Sequence, residues 1–130
     1  MVKFGTGGWR ALIGDEFTKF NITRLAQAMA DYIWKNSKDE EQSVVIGYDR
    51  RFLSKTAAIW VLEVFAANNI KVNLINEEAP TPMTMFTIGD LGLEYGIAVT
   101  ASHNAYEWNG IKFFFDGGKD ATVEVTDELE

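Results

Sequence analysis

The densest polar cluster in the chain is Thr100-Ala-Ser-His-Asn104, which follows a short apolar run and leads into Tyr106-Glu-Trp-Asn-Gly110 and Lys112. Ser102 offers a hydroxyl nucleophile and His103 a group that gains or loses a proton near neutral pH. Lys112 offers a cation able to meet charge building up on a phosphoryl oxygen. On composition alone the plainer account is a polar loop capped by Ser and Asn. A serine-hydrolase triad fits poorly, because adjacent Ser and His rarely aim at one another. The chain also lacks a Gly-x-Ser-x-Gly elbow, and His103 is its only histidine.

Two further clusters carry polar chemistry. Phe4-Gly-Thr-Gly-Gly-Trp-Arg10 holds three closely spaced glycines, whose backbone N–H groups can approach a phosphate while Arg10 clamps it with two donors. It lacks the Gly-Lys-Ser/Thr ending of a P-loop and does not follow a strand as a dinucleotide fingerprint does. A glycine-rich turn opening a strand accounts for it equally. Asp49-Arg-Arg51 comes after another apolar run and reads either as a ligand contact or as a local ion pair. The remaining acidic residues show no metal-ligand spacing.

The elements that must position these clusters alternate along the chain. Trp9–Ile13 reads as a strand stopped by Gly14 and Asp15. From Asn21, a candidate N-cap, Ile22, Leu25, Met29 and Ile33 follow helical spacing up to Asn36 and Ser37. Ser43–Gly47 is a short β-branched run suited to burial on both faces. Ser54 is a candidate cap for a second helix running to about Ala67, with Ala58, Val61, Leu62 and Phe65 on one side. Lys71–Ile75 is the next strand. Thr81 as N-cap with Pro82 at the first helical position opens a third helix that ends near Gly89 or Gly92. Ile97–Thr100 and Gly110–Phe115 complete the strands, the last closed by a Gly117-Gly118 turn. Thr126-Asp-Glu-Leu-Glu130 reads as the opening turn of another helix, cut off at its start.

This order predicts parallel crossover units, and hence a three-layer α/β/α sandwich around a mostly parallel sheet. The last strand has no room for a helix before it, so it is expected antiparallel, at an edge. In such sheets ligands bind beyond the carboxyl ends of the strands, which is where the loop leaving Val99 falls.

The 130 residues suit one α/β domain, residues 1–130, with 47% hydrophobic and 24% charged residues and only two prolines. The formal net charge of −7 argues against general nucleic-acid binding, which draws its affinity from Lys and Arg. It leaves room for a small phosphorylated ligand held by one Arg and one Lys. The absence of Cys removes disulfides and thiolate metal sites. The longest apolar stretch, Ala57 to Ala67, is interrupted by Glu63 and is too short to span a membrane. A cytoplasmic protein is expected.

Taken together, Phe4-Gly-Thr-Gly-Gly-Trp-Arg10, Gly47-Tyr-Asp-Arg-Arg51, Pro80-Thr-Pro82 and Thr100-Ala-Ser-His-Asn104 with Asn109-Gly-Ile-Lys112 resemble the α-D-phosphohexomutases, the phosphoglucomutases and phosphomannomutases. The motifs occur in that family's order and cover nearly the whole chain, and they match the first of its four domains. The resemblance implies that Ser102 is the phosphorylated serine, passing its phosphoryl group between the 1- and 6-positions of a hexose phosphate through a bisphosphate such as glucose 1,6-bisphosphate. It implies that Arg10 and Lys112 neutralise the transferring group, that Lys112 and His103 manage the hydroxyl proton, and that Asn104, Asn109 and Gly110 shape the loop. Mg²⁺ is implied between the Ser102 phosphate and an aspartate-rich loop of the second domain, so that phosphate is the only metal ligand expected here.

Arg51 matches the family's Arg after Gly-x-Asp-x and is given no role. Ala105 replaces the usual Pro and Ala11 a common Gly, and neither removes a chemical group. Thr100 ahead of Ala-Ser resembles the glucose and mannose branches more than the glucosamine branch. The hexose phosphate and the remaining mutase domains are the expected partners, with weak self-association through surfaces those domains would cover. The isolated chain is expected to turn over little or no substrate. The alternative is a non-catalytic sugar-phosphate-binding or assembly module, against which an intact Ser102, His103 and Lys112 argue.

Overall fold

The computed structural model describes residues 2–5, 8–37 and 39–130. Thr6 and Gly7 of the glycine-dense start lie outside the described residues. The elements are β1 (Trp9–Leu12), α1 (Lys19–Asn36), β2 (Gln42–Tyr48), α2 (Ser54–Ala67), β3 (Ile70–Leu74), α3 (Thr81–Asp90), β4 (Tyr95–Val99), β5 (Trp108–Phe115), β6 (Lys119–Asp120) and α4 (Val123–Leu129). They form one six-stranded sheet in the order β1-β5-β4-β2-β3, with β6 also paired to β5.

β2 pairs in parallel with both β3 and β4, whereas β5 runs antiparallel to β4, β1 and β6. The other strands therefore share one direction and β5 alone opposes them. This is the expected mostly parallel sheet with an antiparallel edge strand, but the edge belongs to β1. β5 is antiparallel as expected and sits one strand in, because the N-terminal strand returns to cover its outer side, with Trp9 opposite Ile111 and Leu12 opposite Trp108.

Alternation along the strands sorts the core into two layers. Val44, Ile46, Tyr48, Tyr95, Ile97, Val99, Ile111 and Phe113 pack with α1, α2 and α4 in the larger cluster. Val45, Ala98 and Phe114 point the other way and pack with Ile88 of α3. α3 sits low on β2 and β4 because the positions beneath it are glycines: a Cβ at Gly47 would collide with the Thr84 side chain, and one at Gly96 with Ile88.

Four caps fall elsewhere than expected. Helix α1 starts at Lys19, with Thr18 as its N-cap: the Thr18 Oγ1 accepts from the Asn21 N–H at 3.3 Å, while Asn21 turns its own amide back to the Glu16 carbonyl. The choice is set by Phe17, which is buried and stacked on Trp9 at 5.5 Å, so the chain must turn directly after it. Phe17 and Ile22 then bracket the cap as a hydrophobic staple does. Helix α2 has the expected span, yet Ser54 is its first helical residue and Leu53, in the left-handed region at φ 67°, occupies the cap. Ser54 is fully buried and spends its hydroxyl elsewhere. In α3 the cap is Pro80, so Thr81 and Pro82 each sit one position further in. Finally, α4 opens at Val123 after Thr122, ahead of the expected Thr126, because that start lets Val125 and Leu129 bury one above the other.

Candidate active site

The site stands at the carboxyl end of β4, where Val99 gives way to Thr100 and Ala101, both buried, and the chain emerges at Ser102. Ser102 is exposed and holds φ at +54°, a left-handed conformation that costs a non-glycine residue roughly 1–2 kcal/mol. The turn is tied locally by the Thr100 Oγ1, which accepts from the Ser102 N–H at 3.0 Å, and by the Ala101 carbonyl, which accepts from Asn104 at 3.1 Å. The loop rejoins the sheet where the Ala105 carbonyl accepts from the Trp108 N–H at 3.0 Å.

From the neighbouring β2–α2 loop, the Arg51 side chain reaches under this turn. Its Nη1 donates to the carbonyls of Ala105 and Trp108 at 2.8 and 3.0 Å, and its Nη2 to those of Ser102 and Asn104 at 2.7 and 2.5 Å. Asp49 sets Arg51 in turn: its Oδ1 accepts from the Arg51 backbone N–H at 3.0 Å, and its Oδ2 stands 3.6 Å from Nε. The same Oδ1 accepts from the Ser54 hydroxyl at 2.7 Å. Asn109, wholly buried, donates to the Ser54 Oγ at 2.9 Å and to the Phe52 carbonyl at 3.0 Å, and its own oxygen accepts from the Gly110 N–H. A continuous polar chain thus joins β2, the start of α2, the serine loop and the start of β5. Buried polar groups of this kind are satisfied pairwise or not at all, which is why Ser54 and Asn109 tolerate complete burial.

Arg10, Gly110 and Lys112 lie on the α3 face of β1 and β5, beside the area α3 covers. Arg10 is the register partner of Gly110. The glycine is required there: a Cβ would strike the Trp9 carbonyl and press on the Thr100 carbonyl and the Arg10 stem. A Cβ at Gly8, which holds φ at +131°, would crowd the Ile111 carbonyl and the Lys112 stem. Lys112 is half-buried, with its Nζ 3.6 Å from Asp120 Oδ1 and 6.0 Å from the Phe114 ring centre. Two partly buried cations therefore occupy one sheet face at the strand end that carries Ser102.

Of the residues singled out in the sequence, the structure brings Ser102, Asn104, Asn109 and Gly110 into one hydrogen-bonded assembly and places Arg10 and Lys112 on the adjoining face. His103 is exposed on the loop, and among the described residues nothing hydrogen-bonds its ring. Arg51 is the participant that sequence reasoning left without a role, and Ser54 is a second, taken there for a cap. A groove of about 610 Å³ opens beside the loop between Arg50, Glu78, Pro80, Asn104 and Tyr106. No group of three or more His, Cys, Asp or Glu side chains among the described residues could hold a metal ion. No helix among them is long and apolar enough to cross a membrane.

An α/β/α domain with an exposed serine on a left-handed turn at a strand's carboxyl end, and two cations on the adjoining sheet face, has clear relatives. Residues 1–130 match the phosphoglucomutase/phosphomannomutase alpha/beta/alpha domain I, and the chain belongs to that family. It is 33% identical over 132 residues to a phosphoglucomutase of Staphylococcus saprophyticus, covering 99% of this chain and 24% of the relative. It is 35% identical over 129 residues to the phosphoglucomutase of Staphylococcus haemolyticus, covering 94% and 23%. A solved structure from Thermus thermophilus, assigned as a phosphomannomutase, superposes with a TM-score of 0.91 at 32% identity, covering 98% of this chain and 29% of that one. The chain thus spans about a quarter of the length of the curated relatives it matches.

Proposed function

We propose that this chain is the phosphoryl-carrying domain of a phosphohexomutase, with Ser102 as the carrier. The observation that carries the reading is the presentation of Ser102: an exposed residue on a left-handed turn, held by hydrogen bonds on the backbone behind it, with Arg10 and Lys112 on the adjoining face of β1 and β5. Phosphoryl transfer asks little covalent work of a protein and much positioning and charge neutralisation, and these are what such a loop supplies.

In the forward step the bond between phosphorus and the Ser102 Oγ breaks while a bond from a sugar hydroxyl oxygen to the same phosphorus forms. The hydroxyl proton leaves, and the serine oxygen takes a proton in its place. Lys112 and His103 are the groups for that exchange, with Arg10 and Lys112 meeting the charge on the equatorial oxygens. The product is a hexose bisphosphate, which returns its other phosphate to Ser102 by the reverse step, moving phosphate between the 1- and 6-positions. Asn104, Asn109 and Gly110 shape the loop. Among the described residues there is no carboxylate cluster for Mg²⁺, so a phosphate on Ser102 would be the donor offered from here, the other ligands coming from another domain. When bound, the ion would neutralise phosphoryl charge. The chain by itself is proposed to turn over little substrate, since a site open to water lacks the enclosure such chemistry needs.

The test is intact mass and phosphopeptide mapping before and after incubation with glucose 1,6-bisphosphate. Ser102 is expected to gain about 80 Da, the mass of a phosphoryl group, and Ser102→Ala to gain none. Phosphate mapping to another residue, or persisting in Ser102→Ala, would remove Ser102 as the carrier.

A further inference from the structure

Arg51 does something its residue type does not announce. A guanidinium beside a phosphoryl site is ordinarily read as a phosphate clamp, yet here both terminal nitrogens are occupied. Four backbone carbonyls, those of Ser102, Asn104, Ala105 and Trp108, converge on Nη1 and Nη2, and Nε faces the Asp49 carboxylate. The four N–H bonds on Nη1 and Nη2 are matched by four acceptors, so none is left for a ligand. The side chain is mostly buried, 15% exposed, which shields these contacts from water.

We infer that Arg51 is the positioning residue of the serine loop, fixing where the Ser102 hydroxyl stands by gathering the loop's carbonyls onto one planar cation. The inference rests on Ser102 being the phosphoryl carrier only for its consequence in catalysis; the clamp itself is a statement about the loop. Four carbonyl oxygens turned toward one point repel one another unless a cation sits among them. Without it, the peptide planes of the loop swing their oxygens to water. The Ser102 carbonyl belongs to the peptide joining Ser102 to His103, so its rotation changes ψ of Ser102 and releases the left-handed turn. Lysine cannot substitute: its ammonium has three donors in a tetrahedral array, against four acceptors arranged around a plane. Asp49, held by the Ser54 hydroxyl, holds the Arg51 backbone through its Oδ1 and faces the guanidinium from behind through its Oδ2, so Arg51 is tied at both ends.

The experiment is hydrogen exchange and side-chain nitrogen NMR on this chain. In the wild type, the Arg51 guanidinium protons are expected as separate, slowly exchanging signals, because each is held by its own acceptor. A single averaged, rapidly exchanging signal would overturn the clamp with no variant needed. In Arg51→Gly and Arg51→Lys, the amides of Asn104 and Trp108 are expected to exchange roughly 10- to 100-fold faster, as for the loss of one charge-assisted hydrogen bond. Those of β2 and β4 keep their rates. Guanidinium ion well below denaturing concentration is expected to restore slow exchange in Arg51→Gly, and ammonium ion is not. Unchanged exchange at Asn104 and Trp108 in both variants sinks the inference. Ser102 phosphate uptake from glucose 1,6-bisphosphate is followed in parallel and is expected to fall in Arg51→Lys. Phosphate on a residue other than Ser102 would remove the carrier assignment while exchange still judges the clamp.

Discussion

The two faces of the sheet are built on different physics. On one, α1, α2 and α4 close over Ile46, Ile97, Ile111 and Phe113, all buried and all apolar. On the other, α3 covers only the region around Val45, Ala98 and Phe114, and Arg10 and Lys112 occupy the remainder. The first face owes its order to area removed from water, which is tolerant of detail and insensitive to direction. The serine loop at the sheet's end owes its order to a few directed hydrogen bonds around one cation, which hold atoms in place and contribute little to global stability. Stability and positioning are therefore separable in this domain, and substitutions on the two sides are expected to fail differently.

The largest effect is expected on the closed face. Phe113 stacks on Tyr95 at 5.8 Å with the rings nearly parallel and meets Tyr32 edge-on at 6.0 Å. Phe113→Ala leaves a cavity among rigid neighbours and is expected to cost about 3–5 kcal/mol, a large share of a small domain's stability. Urea denaturation checks it. The comparison sharpens if, in conditions where the variant stays folded, Ser102 still accepts phosphate, and it breaks if uptake is lost while the fold persists.

The same aromatic cluster gives the next effect through pH. Burial, reinforced by Glu94 and then by Tyr32, pushes the Tyr95 hydroxyl up from 10 to about 12. The neutral form is favoured in the folded state, so the stabilisation is fully present below pH 10 and is lost as pH rises towards about 12. The loss is on the order of 2 kcal/mol once partial screening of the hydroxyl by solvent is allowed for. Denaturation midpoints measured across that window should fall in the wild type and flatten in Tyr95→Phe; equal slopes in the two proteins would rule out Tyr95 as the titrating group.

What the sequence made legible follows the same division. Apolar periodicity located α2 to within about a residue, and the buried side of α1, because burial of a whole face depends on many residues and survives local ambiguity. Caps were harder: Thr18 and Asn21 are equally good on their own, and the decision came from Phe17 stacking on Trp9. That β5 is antiparallel followed from the short connection, but its covering by β1 depends on a strand about a hundred residues away in the chain. Ser102 and its flanking polar residues were visible because they carry distinctive side chains. Arg51 was visible as one of a polar cluster, and its pairing with Asp49 was among the readings weighed, but its grip on the loop was not, because its other partners are backbone carbonyls, which every residue has and no sequence pattern marks.

Asn109 lies where the two regimes meet, and the smallest global effect with the largest local one is expected there. Its side chain is buried among apolar strands, yet its partners are the Ser54 hydroxyl, the Phe52 carbonyl and the Gly110 N–H. Asn109→Ala takes this partner from the Phe52 carbonyl and the Gly110 N–H and leaves the Ser54 hydroxyl with Asp49 alone, a cost of about 1–3 kcal/mol. The consequence for the site runs through Ser54: freed from Asn109, its hydroxyl can turn from Asp49, and Asp49 then holds Arg51 less firmly. Hydrogen exchange should therefore quicken at Asn104 and Trp108 by more than the global loss explains, with Ser102 phosphate uptake falling alongside. Asn109→Asp keeps the acceptor for Gly110 but loses the donors, and it should reproduce the loop effect. A uniform acceleration across the sheet, with the loop no worse than β2, would mean that stability and positioning are not separable here after all.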